Sequence, residues 1–454
     1  MERNGGSSVR LAVAGVLLGT VLQAVDFSVV NVAIPEIQAR LGGSLAEVGW
    51  VVTGYAIASL VAMPLCAGLA ARVGMRAYFA AQVATFTAAS AACALARSAQ
   101  ALIAFRILQG LSAGGLLPLS QGILMTLFSG ERRGTAVALV GFAAVLGPLF
   151  GPPLGGFLTD RLGWPSIFWI NVPLGLLSLV LVLKYLRVVA EPKRAPLDLP
   201  GAALLAASVV CLQVACAHRP WLFVPAAVLG ALFVRRERRA RSPAVDLSVL
   251  RHRPLAATLA SAPLYGFGLY ASAFLIPLLL EKQLAMTASQ TGLCMAAGAI
   301  ASGALIGCAR LLLRRFRARS LCVTGAVLFA ASMVLLGWVA LRSSGDVYFA
   351  QVLRGAGTGL LYVGMNGFAF QAMRDEDLAT SASLFYLLRQ LGGTVGVALA
   401  ASALDSFGSR GMVGALGALA LTAPLSLLPI GAADRGTRVA PSVKEGTDRH
   451  SSDA

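Results

Sequence analysis

Residues 108–114 read Leu108-Gln109-Gly110-Leu111-Ser112-Ala113-Gly114, and 245 positions later the chain reads Leu353-Arg354-Gly355-Ala356-Gly357-Thr358-Gly359. Each copy carries Gly at i and i+4, which share one face of a helix, and small residues there let helix backbones approach closely inside a membrane. Both copies lie within apolar stretches of the ~20 residues needed to cross a bilayer. Working outward gives fourteen such stretches, at about 11–35, 47–71, 76–96, 100–127, 134–159, 166–187, 198–217, 220–234, 255–280, 288–313, 319–341, 346–372, 379–403 and 411–431. The copies fall in the fourth and twelfth. They correspond if the chain is two six-helix bundles, 11–187 and 255–431, with two helices inserted at 188–254. Residues 1–10 and 432–454 are polar and read as a disordered cytoplasmic N-terminus and tail. Parallel repeats of this kind are a transporter architecture, with the substrate site between the halves near the midplane.

Composition agrees. Of 454 residues, 57% are hydrophobic and 13% charged, about half the charge of a soluble domain. That excludes a string of soluble domains, a disordered chain and a disulfide scaffold. The seven cysteines all lie in apolar stretches without a CxxC pair, and the three histidines lie in polar connections, so the sequence implies neither a metal site nor a cofactor. The absence of a Walker loop argues against ATP coupling. The first apolar stretch is too long for a secretory signal and contains Asp26 and Pro35.

The net charge of +17 is a matter of placement. With the N-terminus in the cytoplasm, 26 of the 37 basic residues fall on the cytoplasmic side, 7 outside and 4 within spans. The positive-inside rule then sets both termini in the cytoplasm, accounts for the charge, and leaves no nucleic-acid role.

Asp26 is the one carboxylate well inside any predicted span. Burying it costs roughly 2.5–3.5 kcal/mol, so a reason is expected. It stands 15 residues into an outward-running helix, ~22 Å from the inner edge and ~8 Å from the outer edge of a ~30 Å core. Arg106 stands six residues into an inward-running helix, ~9 Å from the outer edge, so the depths agree. Burial disfavours the charged carboxylate and a guanidinium favours it. A proton carrier needs such a balance to move with access; a static ion pair locking two spans is the other reading. Arg354 and Arg389 have no acidic partner at their depth. They either line a cavity or are satisfied by carbonyls at helix breaks. Counting Arg310 as well, the core holds one acid against four arginines, which favours a neutral, anionic or at most singly cationic cargo.

Several motifs resemble the major facilitator superfamily, in particular its fourteen-span EmrB/QacA-type drug:proton antiporters. Val25-Asp26-Phe27-Ser28-Val29-Val30-Asn31-Val32-Ala33-Ile34-Pro35 looks like LDxTIVNVALP, and Trp50-Val51-Val52-Thr53-Gly54-Tyr55 opens span two in the family manner. Arg106, Gln109 and Gly110 match RxxQG. Gly147-Pro148, Gly151-Pro152 and Gly155-Gly156 are similar to the antiporter motif. Phe168-Trp169-Ile170-Asn171-Val172-Pro173-Leu174-Gly175 and Leu388-Arg389-Gln390-Leu391-Gly392-Gly393 follow. One departure stands out. Where the superfamily's loop after span two reads GxLADRxGRR, this chain has Ala67-Gly68-Leu69-Ala70-Ala71-Arg72-Val73-Gly74-Met75-Arg76, with Ala71 at the acidic position.

The resemblance implies an all-α membrane protein of the major facilitator fold with fourteen transmembrane helices. It would be no enzyme but a proton-coupled exporter of amphipathic small molecules in the bacterial inner membrane. Asp26 and Arg106 would couple protons. Phe27, Asn31, Trp50, Tyr55, Gln109, Asn366, Arg389 and Gln390 are candidates for the substrate cavity. Arg72, Gly74, Arg76, Gly110, Gly114, Gly147, Pro148, Gly151, Pro152, Gly155 and Arg354 are candidates for gating or packing. Expected partners are a small-molecule substrate, protons and the lipid bilayer, and the assembly is open between a lone pump and one joined to a periplasmic adaptor and outer-membrane channel. Two alternatives stand beside this: an exporter dedicated to one natural product such as a siderophore or antibiotic, and a non-transporting sensor or scaffold.

Overall fold

The computed structural model describes residues 3–128, 133–187, 198–217, 219–240, 250–342, 346–370 and 378–437. Among them the regular structure is entirely helical, in the order α1 (Arg3–Leu41), α2 (Leu45–Val73), α3 (Met75–Ala94), α4 (Ala99–Ala113), α5 (Leu116–Leu127), α6 (Arg133–Leu162), α7 (Ser166–Trp169), α8 (Asn171–Tyr185), α9 (Leu199–Ala217), α10 (Phe223–Glu237), α11 (Arg253–Lys282), α12 (Ala288–Gly307), α13 (Ala309–Arg315), α14 (Ala318–Arg342), α15 (Val347–Phe370) and α16 (Leu378–Thr437). Where the structure describes them, the fourteen predicted stretches are mainly helical, and ten helical spans among the described residues are long and apolar enough to cross a membrane. α10 is one that falls short, since its 15 residues reach only ~22 Å. Predicted spans four, six and ten are each two helices. Spans thirteen and fourteen run on through α16, broken at Gly408 (φ 54°, ψ −128°).

Apolarity marks where lipid is, not where a helix ends. α1 accordingly begins at Arg3 and α16 continues to Thr437, inside segments expected to be disordered. The helices also carry more acid than the stretches suggested. Glu36 lies within α1 and Glu281 within α11, and Glu237, at the end of α10, is buried.

Helices α1–α8 form one packed set and α11–α16 another, with α9 lying against both α2 and α16. The repeated glycines make close helix approaches. A side chain at Gly110 or Gly114 would strike the carbonyl of Tyr55 or Ser59 on α2, and one at Gly355 the carbonyl of Gly298 on α12. The sets meet through α6 with α12, α2 with α16, and α1 with α11. One apolar cluster spans both sets where Val30, Ile34 and Ile37 meet Phe274, Leu275 and Leu278. Toward the other end, the clusters around Phe79 and Ile123 and around Leu321 and Val363 each stay within their own set. The sets therefore converge at one end, and the arginine-rich turns at Arg72–Arg76 and Arg314–Arg319 lie at the other.

Candidate functional site

Asp26 is fully buried on α1 and receives three donors. Arg106 Nη1 donates to Oδ2 at 2.6 Å, while Gln109 Nε2 and Asn171 Nδ2 donate to Oδ1 at 3.0 and 2.8 Å. Arg106 also donates through Nε to the Val51 carbonyl at 3.0 Å and through Nη1 to Gln109 Oε1 at 2.7 Å. Ser90 Oγ accepts from both Gln109 and Asn171. The Tyr55 ring covers the guanidinium, 4.1 Å from ring centroid to Cζ. Five helices, α1, α2, α3, α4 and α8, thus converge on one ion pair, and the spacing of Arg106 and Gln109 sets both side chains on one face of α4. A buried pair holds together when hydrogen bonds satisfy its remaining donors and acceptors, as here.

The predicted cavity residues divide. Gln109 is consumed by the Asp26 network. Tyr55 is buried beneath Arg106. Trp50 packs on the cluster that joins α2, α9, α10 and α16. Gln390 donates across the sets to the Ala56 carbonyl at 2.6 Å and is buried. Asn31 and Asn366 each donate to a carbonyl one turn back, Phe27 and Tyr362. Phe27 and Arg389 form part of a row between the sets. Phe27 lies 6.0 Å from Tyr55 and 5.2 Å from Tyr270, and Arg389 lies 5.8 Å from the Tyr270 ring and 5.0 Å from that of Tyr386.

The other predicted residues pack. Gly147, Gly151 and Gly155 press α6 onto Ala24, Ser28 and Val29 of α1, and Ser28 donates to the Gly147 carbonyl at 2.7 Å. Pro152 sits at the contact with Gly292 of α12; the side chain of Pro148 lies outside the description. Gly74 turns the chain between α2 and α3 at φ 91°, and Arg76 donates to the Leu183 carbonyl. Arg72 is exposed. Arg310 is exposed on the short helix α13, so it adds no charge to the core, a correction to the sequence reading.

The repeat extends to this chemistry. Gly147 and Gly151 pack on residues 24 and 28 of α1, and their counterparts Gly392 and Gly396 pack on residues 263 and 267 of α11. Position 26 therefore corresponds to Tyr265, and Arg106 and Gln109 correspond to Gln351 and Arg354. Where the first set places a carboxylate, the second places a phenol. Arg354 donates through Nε to Gln351 Oε1 at 2.7 Å, and Gln351 Nε2 is buried without a partner.

Two aspartates missed at the sequence level close the convergent end. Asp160 at the end of α6 accepts from Ala288 N (3.1 Å) and Ser289 N (2.7 Å), the first amides of α12. Asp405 on α16 accepts from Leu45 N (2.9 Å) and Ala46 N (2.7 Å), the first amides of α2. Ser44 and Thr287 cap the same two helices locally. The aspartates are 245 residues apart, the repeat distance, and that spacing was the available signal. Each places negative charge at a helix N-terminus, where amides lack partners. Burial alone raises the Asp160 carboxyl, but hydrogen bonds from Ser289, Thr287 and Ala288 outweigh it and hold the group below the usual carboxylate range.

Two interlocked helix sets with a polar centre in an apolar body define a multi-pass membrane transporter rather than an enzyme. The chain belongs to the Major Facilitator Superfamily, whose model matches residues 16–397 and 258–446. It is 30% identical over 417 residues to the multidrug export protein EmrB of Haemophilus influenzae, covering 87% of this chain and 80% of that one. It is 31% identical over 396 residues to the fatty acid resistance protein FarB of Neisseria gonorrhoeae, covering 84% and 78%. The fold matches the human organic anion transporter MFSD10 (TM-score 0.62, 18% identity, 92% and 99% covered) and the xylose transporter XylE from E. coli (0.63, 14%, 97% and 100%).

Proposed function

We propose that the protein is a proton-coupled exporter of amphipathic small molecules, with fourteen helices crossing the bacterial inner membrane and both termini in the cytoplasm. The observation that carries this reading is the Asp26–Arg106 pair, a buried charge pair held by hydrogen bonds from two further helices. The multidrug export name of the EmrB relatives supports export, and FarB's name adds fatty acids to the cargoes to be tried. With the arginine-rich turns facing the cytoplasm, the convergent end lies at the outer face, as in a state that loads cargo from inside. Boundaries at 11–187, 188–254 and 255–431 separate the two bundles from the inserted pair. Export proceeds as the bundles rock about the central site. Protonation of Asp26 from outside releases Arg106, and return of the proton inside restores the pair. Proton re-entry supplies the energy, about 2.3 kcal/mol per charge per 100 mV.

The test is uptake into inverted membrane vesicles of a panel of neutral, monocationic, dicationic and anionic fluorescent amphipaths under an imposed pH gradient. Accumulation of panel members that collapses when the gradient is discharged is expected. Accumulation indifferent to the gradient would remove proton coupling.

A further inference from the structure

Among the described residues of the apolar body, one cation has a counter-ion and two have none. The ion pairs among the described residues are Arg40–Glu36, Arg106–Asp26 and Arg236–Asp198. None includes Arg354 or Arg389. Both belong to the second set, where Tyr265 replaces the carboxylate of the first, and Tyr265 lies within electrostatic reach of both guanidinium groups. An uncompensated cation at this depth is costly, and in membrane proteins such a residue marks a ligand or ion path.

Arg389 is the better placed of the two. Its backbone is held where Gly266 lets α11 lie against the Arg389 carbonyl, and Gly393 makes room for the Tyr270 ring. The guanidinium rests against Tyr386 and Tyr270, and Tyr270 in turn meets Phe27 of the first set. Arg389, Tyr270, Tyr386 and Phe27 are each only partly buried although they sit between the two helix sets. Arg389 Nε has no hydrogen-bond partner. Aromatic faces stabilise a guanidinium from above or below its plane. They accept nothing from the N–H groups along its edge. What fits that edge is a planar, bidentate acceptor.

We propose that Arg389 and its tyrosines bind the carboxylate of an amphipathic organic anion, with the hydrocarbon or aromatic tail lying along Phe27 and Tyr270. The bound carboxylate supplies the negative charge that Tyr265, standing where the first set has Asp26, does not. Arg354, with Nε already committed to Gln351, adds long-range attraction. This rests on reading the central region as the cargo site of an exporter and adds the chemical class of the cargo.

The experiment uses the full-length protein in lipid nanodiscs and three probes sharing one tail: dansylaminoundecanoic acid, its methyl ester and the corresponding amine. Binding is followed by dansyl fluorescence against empty nanodiscs. The acid is expected to bind at least tenfold more tightly than the ester, and the amine most weakly. Arg389→Gln is expected to lose at least tenfold for the acid, about 1.4 kcal/mol, and to leave the ester unchanged; Arg389→Lys falls between. Because Gln removes a charge that has no counter-ion among the described residues, the variant's Tm should be no lower than wild type, which separates lost binding from lost fold. Equal binding of acid and ester, or an Arg389→Gln protein that binds the acid like wild type, overturns the proposal. The exporter reading fails separately, if no member of the vesicle panel is transported while Arg389-dependent binding of the acid persists.

Discussion

Replacing both Asp160 and Asp405 by alanine should open the convergent end of the molecule. Each carboxylate accepts two amides from the first turn of a helix in the opposite set. Loss of a capping acceptor costs about 1 kcal/mol, and loss of the charge at a helix N-terminus roughly 0.3–1 kcal/mol more. The two sites cap different helices and share no partner, so their effects add. The double variant therefore loses about 2.6–4 kcal/mol of closure, roughly a 70- to 700-fold shift at 1.4 kcal/mol per tenfold. An open population of about 1% would then rise to about two-fifths or more. Spin labels at Arg97 and Leu341, both exposed and away from the caps, report the opening as a second, longer distance in pulsed dipolar spectroscopy. Asparagine keeps one of the two acceptor oxygens but loses the charge, so the double Asn variant should move less than the double Ala variant. Because the Asp160 carboxyl is held below its usual range, its contribution is complete above about pH 4 and lost only as pH falls through the lowered value. The Asp160 cap should therefore contribute equally at pH 8 and at pH 5. An unchanged distance in the double alanine variant would refute the reasoning.

Three further outcomes are expected. Arg106→Ala leaves the Asp26 carboxylate without its counter-ion and should destabilise the protein by roughly 3–5 kcal/mol, seen as a lower unfolding temperature in detergent; an unchanged temperature would show that the pair adds no stability. Gly110→Val drives a branched side chain into the Tyr55 carbonyl and should cost about 1–3 kcal/mol, whereas the same change at Gly414, which has open space, should cost little. In a Cys308→Ser background, which removes the one exposed thiol among the described cysteines, a cysteine at Arg97 should react with an impermeant reagent added to spheroplasts and one at Arg239 should not. The reverse pattern would invert the topology.

The architecture was legible because it is periodic. The Gly110 and Gly355 motifs revealed the repeat, and helix rise alone set Asp26 and Arg106 at one depth. The rest of the site depends on lateral packing, which rise does not report. Asn171 and Ser90 come from helices that depth arithmetic never compared with α1. Gln109 and Gln390 read as cavity residues because they are polar and central, yet one serves Asp26 and the other bridges the sets. Trp50 faces the inserted helices, a neighbour that a two-bundle picture leaves out. Tyr270 and Tyr386 carried no signal until Arg389 was set beside them. Asp160 and Asp405 looked like ordinary helix-end residues, and only their partners in the opposite set give them a role.

The central claim is that Asp26 carries the proton that drives export. Its most direct test compares two modes of transport for Asp26→Asn in proteoliposomes: exchange of labelled for unlabelled substrate at equilibrium, and accumulation driven by a pH gradient. Asparagine keeps the size and one acceptor of the side chain but cannot carry a proton. The account predicts that exchange survives while gradient-driven accumulation is lost. Accumulation at the wild-type rate would contradict it and leave Asp26 and Arg106 as a structural lock.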